Sequence, residues 1–592
     1  MHPLAKSFIA ISITSLFMTA CTSQSDSTTP TFNAQCNTES KAAETNATVT
    51  GLTLVGRSIA DAPFESSSAE IVSYDVCSDQ LYVVNSQAKK VDIITLDDNS
   101  VPSPIGQIDL QSAAIHSGIA IGAANSVATH EGLVAVAIEN EVKQQTGIIA
   151  LYRSDNLELI TTFTAGALPD MVSFSKNGRY IASANEGEPN SRYSIDPKGS
   201  VTLIDLHNGP LNAIVHQIGF EAFNQDGSRH DELPKSVRIS GPNASVSQDL
   251  EPEYLTFADN GKLYVALQEN NALAAIDVES ASVDAIFGLG EKSWSMAQLD
   301  ASNKDKVIGN FHSYPMLSGL YMPDSITSYS VNGQSFIVTA NEGDGREYGY
   351  ETTQLQCDSA GYEWDGDDYK GSSNYNSKID FCVVYSDETR GKKLNTEKNH
   401  PLAAQLKDKK QLGRLKVIKS NTPLTAEQNV HAFGSRSFSI WDQNGEQVFD
   451  SGDQFARIAQ MTEQDNFNSS NNSNDSSDSR SDDKGVEPEA LEVALINGRH
   501  YAFIGLERQG GVMVYDISDP SNGLFITYVN NRNYQQPVCT KVDDGKCDNA
   551  TYNPKAGDLG PESIDYFQRK GQHFIAVGNE VSGTTSVYRI DF

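Results

Sequence analysis

The chain has 592 residues and a formal net charge of -33 at pH 7. With a pI of about 4.6, it carries nothing that would neutralise a phosphate backbone, which excludes a nucleic-acid partner. Such a surplus of acid suits a soluble surface protein or one that gathers cations, and the length alone would allow several domains.

The first element is a targeting signal: Lys6, the apolar run Phe8–Ala20, and the ending Met18-Thr-Ala-Cys21. Small residues before a cysteine resemble the lipobox of a bacterial lipoprotein. Residues 1–20 would then be removed and Cys21 acylated. The run is too short to span a bilayer, so the lipid is the expected membrane link. Thr22 rather than Asp after the cysteine implies an outer-membrane lipoprotein, on the periplasmic side or the cell surface. Residues 21–50 are rich in Ser, Thr and Asn and read as a flexible tether.

Next comes a lone strand, GLTLVGRSI (Gly51–Ile59), and then a unit that recurs seven times. Its clearest copy is Glu487–Ile517: LEVALI alternates, INGR turns, HYAFIGL is apolar, and GGVMVYDI is β-rich. Asn-Gly between two β-rich runs is a strong hairpin signal. The other copies are Glu70–Leu96, Asn125–Tyr152, Leu168–Leu206, Glu251–Val278, Met322–Trp441 and Gly560–Ile590. About twenty-one strands in such units exceed one sandwich and predict an all-β, seven-bladed β-propeller over residues 51–592. The last unit shows only three strands. Leu52–Ile59 is expected to supply its fourth and to remove an open edge.

With strands A to D in each unit, the A–B turns are minimal (SKNGR, ADNGK, VNGQ, INGR, RKGQ). Every long insertion falls before a strand A or between B and C: Ala222–Leu250, Glu291–Tyr321, Thr462–Val486, Asn530–Leu559 and, largest, 345–434 in the fifth unit. Antiparallel order puts those connections on one face, so one face is bare and the other crowded. Function on such scaffolds sits in loops. The tract within 462–486 (DNFNSSNNSNDSSDSRSDD) is low-complexity and reads as mobile in part.

Two acidic positions repeat. One opens strand A: Asp170, Glu253, Asp324, Glu489, Glu562. The other follows strand B: Glu139, Glu186, Glu269, Glu342, Glu507, Glu580. Both sets fall on the crowded face near the central channel. Gathered carboxylates raise one another's pKa unless cations balance them, and calcium, which takes about six to eight oxygens, suits such a ring. A residue repeated in every unit more often fixes the unit by accepting backbone N–H bonds. Arg346, Arg436, Arg480 and Arg508 lie in or beside the same loops. They pair with the ring or fork onto a phosphate or carboxylate.

No GxSxG, HExxH or EF-hand pattern occurs. His312 and His431 border insertions, where a lone histidine is usually solvated. Glu363-Trp-Asp365-Gly-Asp367-Asp368 reads as an acidic solvated loop before a weak cation site. Beyond Cys21, six cysteines in an exported chain imply disulfides. Near neighbours give Cys36–Cys77, Cys357–Cys382 and Cys539–Cys547 as candidates.

Long strings in order, among them ANEGEP, DPKGSVTLIDL, LQENNALAAIDV, TANEGDGREY, GSRSFSIWD, RSDDKGVEPE, AFIGLERQGGVMVYDI and GNEVSGTTSVYRI, resemble the choice-of-anchor I proteins. That family includes mesenchyme-specific cell-surface glycoproteins linked to biomineralisation, and some bacterial members are labelled alkaline phosphatase. The resemblance carries no defined catalytic residues. Where members often hold an Asp/Gly-rich run before the RSFSIW strand, this chain has NTPLTAEQNVHAFGS. The expected function is a non-enzymatic, lipid-anchored propeller binding a protein, polysaccharide, phosphate or mineral ligand on its crowded face, with calcium. One alternative is a metal-dependent phosphoesterase, with Asp344, Arg346, Asp453, Arg480 and Asp482 as catalytic candidates. Another is a matrix or mineral-associated structural protein.

Overall fold

The computed structural model describes residues 41–365, 379–543, 546–547 and 551–592. Cys21, Cys36, the signal, Asp367 and Asp368 lie outside the described residues. Seven four-stranded antiparallel sheets follow one another along the chain. Their A strands are Ser68–Asp75, Ile121–His130, Pro169–Phe174, Leu255–Phe257, Ile326–Val331, Pro488–Ile496 and Pro561–Arg569. In sheets one to six each strand pairs with the next in sequence, and in sheet five the large insertion separates B (Gln334–Asn341) from C (Ser437–Asp442).

The seventh sheet is completed as the sequence predicts. Gly51–Ile59 runs antiparallel to Thr584–Asp591, from Gly51 opposite Asp591 to Ile59 opposite Thr584. The segment before it is less free than its composition suggests. Thr45 N donates to Asn497 Oδ1 at 2.8 Å and Val49 N to the Tyr501 hydroxyl at 3.2 Å, so the end of the tether is docked on the sixth sheet.

Strands B and C read as near-continuous apolar runs because both of their faces are covered. In Leu133–Asn140 and Ser200–Asp205 every residue after the first is buried. The D strands face outward and are more open, as in Pro102–Asp109 and Ile214–Gly219. Between successive sheets lies one apolar layer each. Tyr82 and Val84 of the first meet Val134 and Val136 of the second, and Phe438 and Ile440 of the fifth meet Ile504 and Tyr515 of the sixth. A further layer packs Phe567, Phe574 and Ala576 of the seventh sheet on Val72, Leu81 and Val83 of the first. Across that seam Tyr74 N donates to Asp565 Oδ2 at 2.7 Å.

The minimal turns carry the backbone that Asn-Gly and Lys-Gly favour. Asn332 and Gly333, Asn497 and Gly498, and Lys570 and Gly571 all have positive φ, as a two-residue turn of type I′ requires.

The insertions build structure that their sequence does not announce. Glu291–Ser293 and Leu317–Leu320, from the connection between sheets four and five, join Val430–Ala432, Lys416–Ile418 and Glu388–Arg390 from the large insertion in one five-stranded sheet. Trp294, Leu317, Leu406, Leu412 and Val430 form its core. A smaller sheet, Glu347–Thr352 with Asp380–Ser386 and Glu363–Trp364, is tied by the disulfide Cys357–Cys382 to the helix Gln354–Ala360. The pairing Cys539–Cys547 is also formed, and Cys77 is disulfide-bonded.

Closing a loop of that length is worth about 3 kcal/mol. Replacing Cys357 and Cys382 by alanine is therefore expected to open the insertion to protease between about residues 346 and 390, an effect local enough to leave the main thermal transition in place. Limited proteolysis beside calorimetry checks this.

The tract Asp465–Asp483 is packed over much of its length, with Asn468, Ser469, Asn471 and Ser481 at most 2% exposed, while Asn472 and Asp475 are exposed. Asn468 N donates to Gln509 Oε1 at 2.7 Å, and Asn471 Nδ2 to Glu507 Oε1 at 2.6 Å. Two guanidinium groups bind its carbonyls: Arg532 takes Ser470 O and Ser473 O, and Arg436 takes Ser481 O and Asp483 O. Hydrogen bonds hold most of the tract, and its one apolar side chain, Phe467, is buried in the layer between sheets five and six.

Candidate functional site

Successive A strands pack side by side, and that of the seventh sheet packs on that of the first. Their first residues therefore converge. In four sheets the entry has the same shape: a residue of positive φ, a proline, then the acid. These are Leu168-Pro169-Asp170, Met322-Pro323-Asp324, Glu487-Pro488-Glu489 and Gly560-Pro561-Glu562. The carbonyl of the leading residue accepts the N–H of a residue just past strand B: Glu186 on Leu168 at 2.9 Å, Gly343 on Met322 at 3.0 Å, Glu507 on Glu487 at 2.8 Å, and Glu580 on Gly560 at 2.8 Å. Positive φ at Leu168 and Met322 costs about 1–2 kcal/mol each.

At Asp170, Glu489 and Glu562 the ladder slips, because the register shifts between Pro169 and Met171, Pro488 and Leu491, and Pro561 and Ser563. A bulged residue is left out of the ladder and its side chain is re-aimed, here into the shared space.

That space is a cavity of about 510 Å³. From the A strands it receives Asp170, Glu253, Asp324, Glu489 and Glu562, and from the ends of the B strands Glu186, Glu342, Glu507 and Glu580. Asp344 and Glu70 bring the lining to eleven carboxylates, against the four basic groups of Lys416, Arg480, Lys484 and Arg508. Two expected members lie elsewhere. Glu139 accepts the N–H of Ala123 at 3.0 Å, the backbone-fixing role foreseen for such a repeat. Glu269 is buried behind the wall, where burial lifts its carboxyl to about 7 although Arg346 opposes the shift.

The carboxylates fall into two clusters with different partners. Oxygens of Glu342, Glu487 and Glu507 lie within 4.8 Å of one another, and basic side chains fill in around them. Glu487 pairs with Arg480 at 2.6 Å, Arg508 at 3.1 Å and Lys484 at 3.4 Å. Lys484 also bonds Glu342 and reaches Asp344 at 3.3 Å. Burial opposes the charge on Glu487, but these three cations overcome it and hold its carboxyl well below the usual range.

Oxygens of Asp324, Glu489 and Glu562 likewise lie within 4.8 Å of one another. Among the described residues no lysine or arginine pairs with any of the three. Burial, then the charges of Glu507 and Glu562, drives Glu489 well above the carboxylate range. Burial and Glu580 do the same to Glu562, and burial with Glu342 lifts Asp324 to about 7. Buried oxygens of Glu489 and Glu253, Oε2 in each, receive no hydrogen bond.

The five catalytic candidates do not converge. Asp344 and Arg480 line the cavity. Arg346 is locked in the interior between Asp249 at 3.1 Å and Glu251 at 3.0 Å. Asp482 is buried against Arg414 at 2.8 Å, and Asp453 pairs with Arg457 at 2.8 Å. His431 meets Glu291 at 2.5 Å on the insertion sheet, His312 bridges to Leu299 there, and Glu363 reaches Lys419 at 3.9 Å.

The sequence reasoning missed Glu70, Glu487 and Lys484. The signal for Glu70 was present, since GluIleValSerTyrAsp at 70–75 parallels GluSerIleAspTyrPhe at 562–567, but no proline marks it. Burial pushes Glu70 up to about 8, and Ser86 donates to it. In the second sheet Asn125 stands at the cavity instead of an acid.

Residues 70–520 match the model of the choice-of-anchor I domain. The chain belongs to the choice-of-anchor I family. A relative of this choice-of-anchor I protein is the mesenchyme-specific cell surface glycoprotein of Strongylocentrotus purpuratus, 26% identical over 349 residues. The match covers 53% of this chain and 41% of the glycoprotein, so it spans less than half of that relative's length. Among solved structures, hydrazine synthase of Kuenenia stuttgartiensis aligns with a TM-score of 0.42 at 10% identity, over 90% of this chain and 99% of that one. The Cps50 (Swd1) β-propeller domain of Myceliophteria thermophila aligns at 0.40 and 6% identity, over 91% and 100%. The choice-of-anchor domain and the disulfides fit an extracellular or cell-envelope protein.

Proposed function

We propose that this chain is a closed seven-bladed propeller, held in the cell envelope by a lipid on Cys21, whose loop-rich face binds a ligand with the help of cations in the acidic cavity. The observation that carries this reading is the imbalance of eleven carboxylates against four basic groups around one space. Like charges this close, out of bulk water, are stable together only with protons or cations among them. All donors there are hard oxygens, which favours calcium over zinc or copper. A binding role is preferred to phosphoester hydrolysis because Arg346, Arg480 and Arg508 are already committed to carboxylates, leaving no forked donor for a phosphate among them.

Calcium at a hundred times its dissociation constant would stabilise the fold by about 2.7 kcal/mol. For a chain of this size that raises Tm by roughly 2–3 °C over protein in chelator, given an unfolding entropy of about 2 cal/mol/K per residue. Scanning calorimetry with and without calcium makes the test. Identical transitions at millimolar calcium would remove the cation from the reading.

A further inference from the structure

Resting on the reading that the cavity takes cations, we propose that Asp324, Glu489 and Glu562 form a specific site for a divalent cation of the calcium class, which ties sheets five, six and seven together at the starts of their A strands. Two features mark this trio, and the lack of any lysine or arginine paired with it among the described residues sets it apart from the Glu342, Glu487 and Glu507 cluster, where Glu507 Oε2 also accepts no hydrogen bond but lies 3.0 Å from Arg508 Nε. The oxygens of Asp324, Glu489 and Glu562 lie within 4.8 Å of one another, near enough for one ion to bridge them. Glu489, only 9% exposed, also turns a buried Oε2 into the cavity with no donor on it. A buried acceptor without a partner is costly, more so when charged, so a ligand that supplies positive charge there recovers that loss.

The neighbouring cluster shows what satisfies such a trio. At Glu342, Glu487 and Glu507 the ammonium of Lys484 and the guanidinium groups of Arg480 and Arg508 stand among the carboxylates. Lys484 Nζ at Glu342 and Glu487, with Arg508 at Glu507, thus does internally what a bound ion would do for Asp324, Glu489 and Glu562. Among the described residues Arg480, Lys484 and Arg508 pair with one trio of carboxylates and not with the other. A bound ion also gives the bulges a role, since an in-register ladder would hold Glu489 and Glu562 to the alternating faces of their sheets rather than let them turn toward a common centre.

Three carboxylates provide about three to six of the six to eight oxygens that calcium takes. The remaining positions face the open part of the cavity. The site therefore holds an ion while leaving coordination positions for water or for an oxygen of whatever the loop-rich face binds.

The experiment is calorimetric titration of the full folded protein with calcium chloride, on the wild type and on Glu489→Gln, Glu562→Gln and Glu186→Gln, with Tm recorded in chelator for each. Glu186 lines the same cavity outside the trio and serves as the control. The expected result is one tight site in the wild type, weakened at least tenfold by Glu489→Gln and by Glu562→Gln and less than threefold by Glu186→Gln. In chelator Glu489→Gln should melt at or above the wild type, because it removes a buried repulsion; loss of calcium response with an intact Tm separates a lost ligand from a damaged fold. Unchanged binding in both trio variants, or a loss confined to Glu186→Gln, overturns this site while leaving the cavity's cation affinity standing. No calcium binding by the wild type overturns both.

Discussion

A chain that begins at residue 60 is expected to lose its cooperative thermal transition or to accumulate as aggregate. Gly51–Ile59 pairs along the whole of Thr584–Asp591, and its removal exposes the outer edge of a strand whose Val587, Tyr588 and Ile590 are buried. Leu52 and the preceding Val49 are buried in the layer between sheets six and seven. Fully burying one such side chain contributes about 1.5–3 kcal/mol, and each backbone hydrogen bond adds roughly 0.5–1.5 kcal/mol. The sum reaches the order of 5–10 kcal/mol, the same size as the whole stability of a typical domain, about 5–15 kcal/mol. The bare edge is also a template for strand pairing between molecules.

A milder variant keeps the test readable if the truncated chain is insoluble. Leu52→Asp places a charge in the same layer while leaving the pairing possible, and it should lower the urea midpoint without changing the slope. A truncated chain that melts like the full one would show that the seven sheets hold without this strand. The stacking layer between sheets seven and one would then have to carry the closure alone.

Local signals made the sheets legible. Asn497-Gly498 and Asn332-Gly333 are turns that few other residue pairs adopt, and each precedes a B strand whose burial on both faces leaves a continuous apolar string. The acidic ring was legible for the same reason, because proline before Asp170, Asp324, Glu489 and Glu562 marks one place in the repeat. Where the proline is missing, at Glu70, the position went unnoticed.

What could not be read was set by partners far away in the chain. Nothing near Asn471 signals Glu507, and nothing near Ser470 signals Arg532, so a tract with one apolar residue, Phe467, reads as mobile in part although distant donors and acceptors hold much of it. The same holds for the insertion sheet. Leu317–Leu320 and Val430–Ala432 are short, separated by strands A and B of the fifth sheet and most of the large insertion, and paired in parallel, which no hairpin pattern announces. Charge compensation was invisible too. Lys484 and Glu487 lie in a loop whose composition says only that it is acidic, yet their geometry decides which of the two carboxylate trios is paired with basic side chains.

Arg346→Ala is expected to destabilise the protein by about 3–5 kcal/mol, the usual cost of leaving buried charge unpaired. The Arg346 side chain is 0% exposed, as are those of Asp249 and Glu251. It donates to Ser240 Oγ at 2.7 Å and to the carbonyl of Asp249 at 2.8 Å as well as to both carboxylates. Lysine cannot reproduce that fork, so Arg346→Lys should recover only part of the loss. The triple change Arg346→Met, Asp249→Asn, Glu251→Gln removes all three charges together and should be less damaging than Arg346→Ala, because no uncompensated charge remains. Urea unfolding measures the three. Hydrogen exchange shows whether the loss spreads or stays in the insertion, which this arginine fastens to the loop before sheet four. An Arg346 that instead met a ligand would give the opposite pattern: Arg346→Ala would retain wild-type stability, and the triple change would bring no rescue. The ion-pair geometry therefore places this residue in the packing of the insertion against the loop before sheet four.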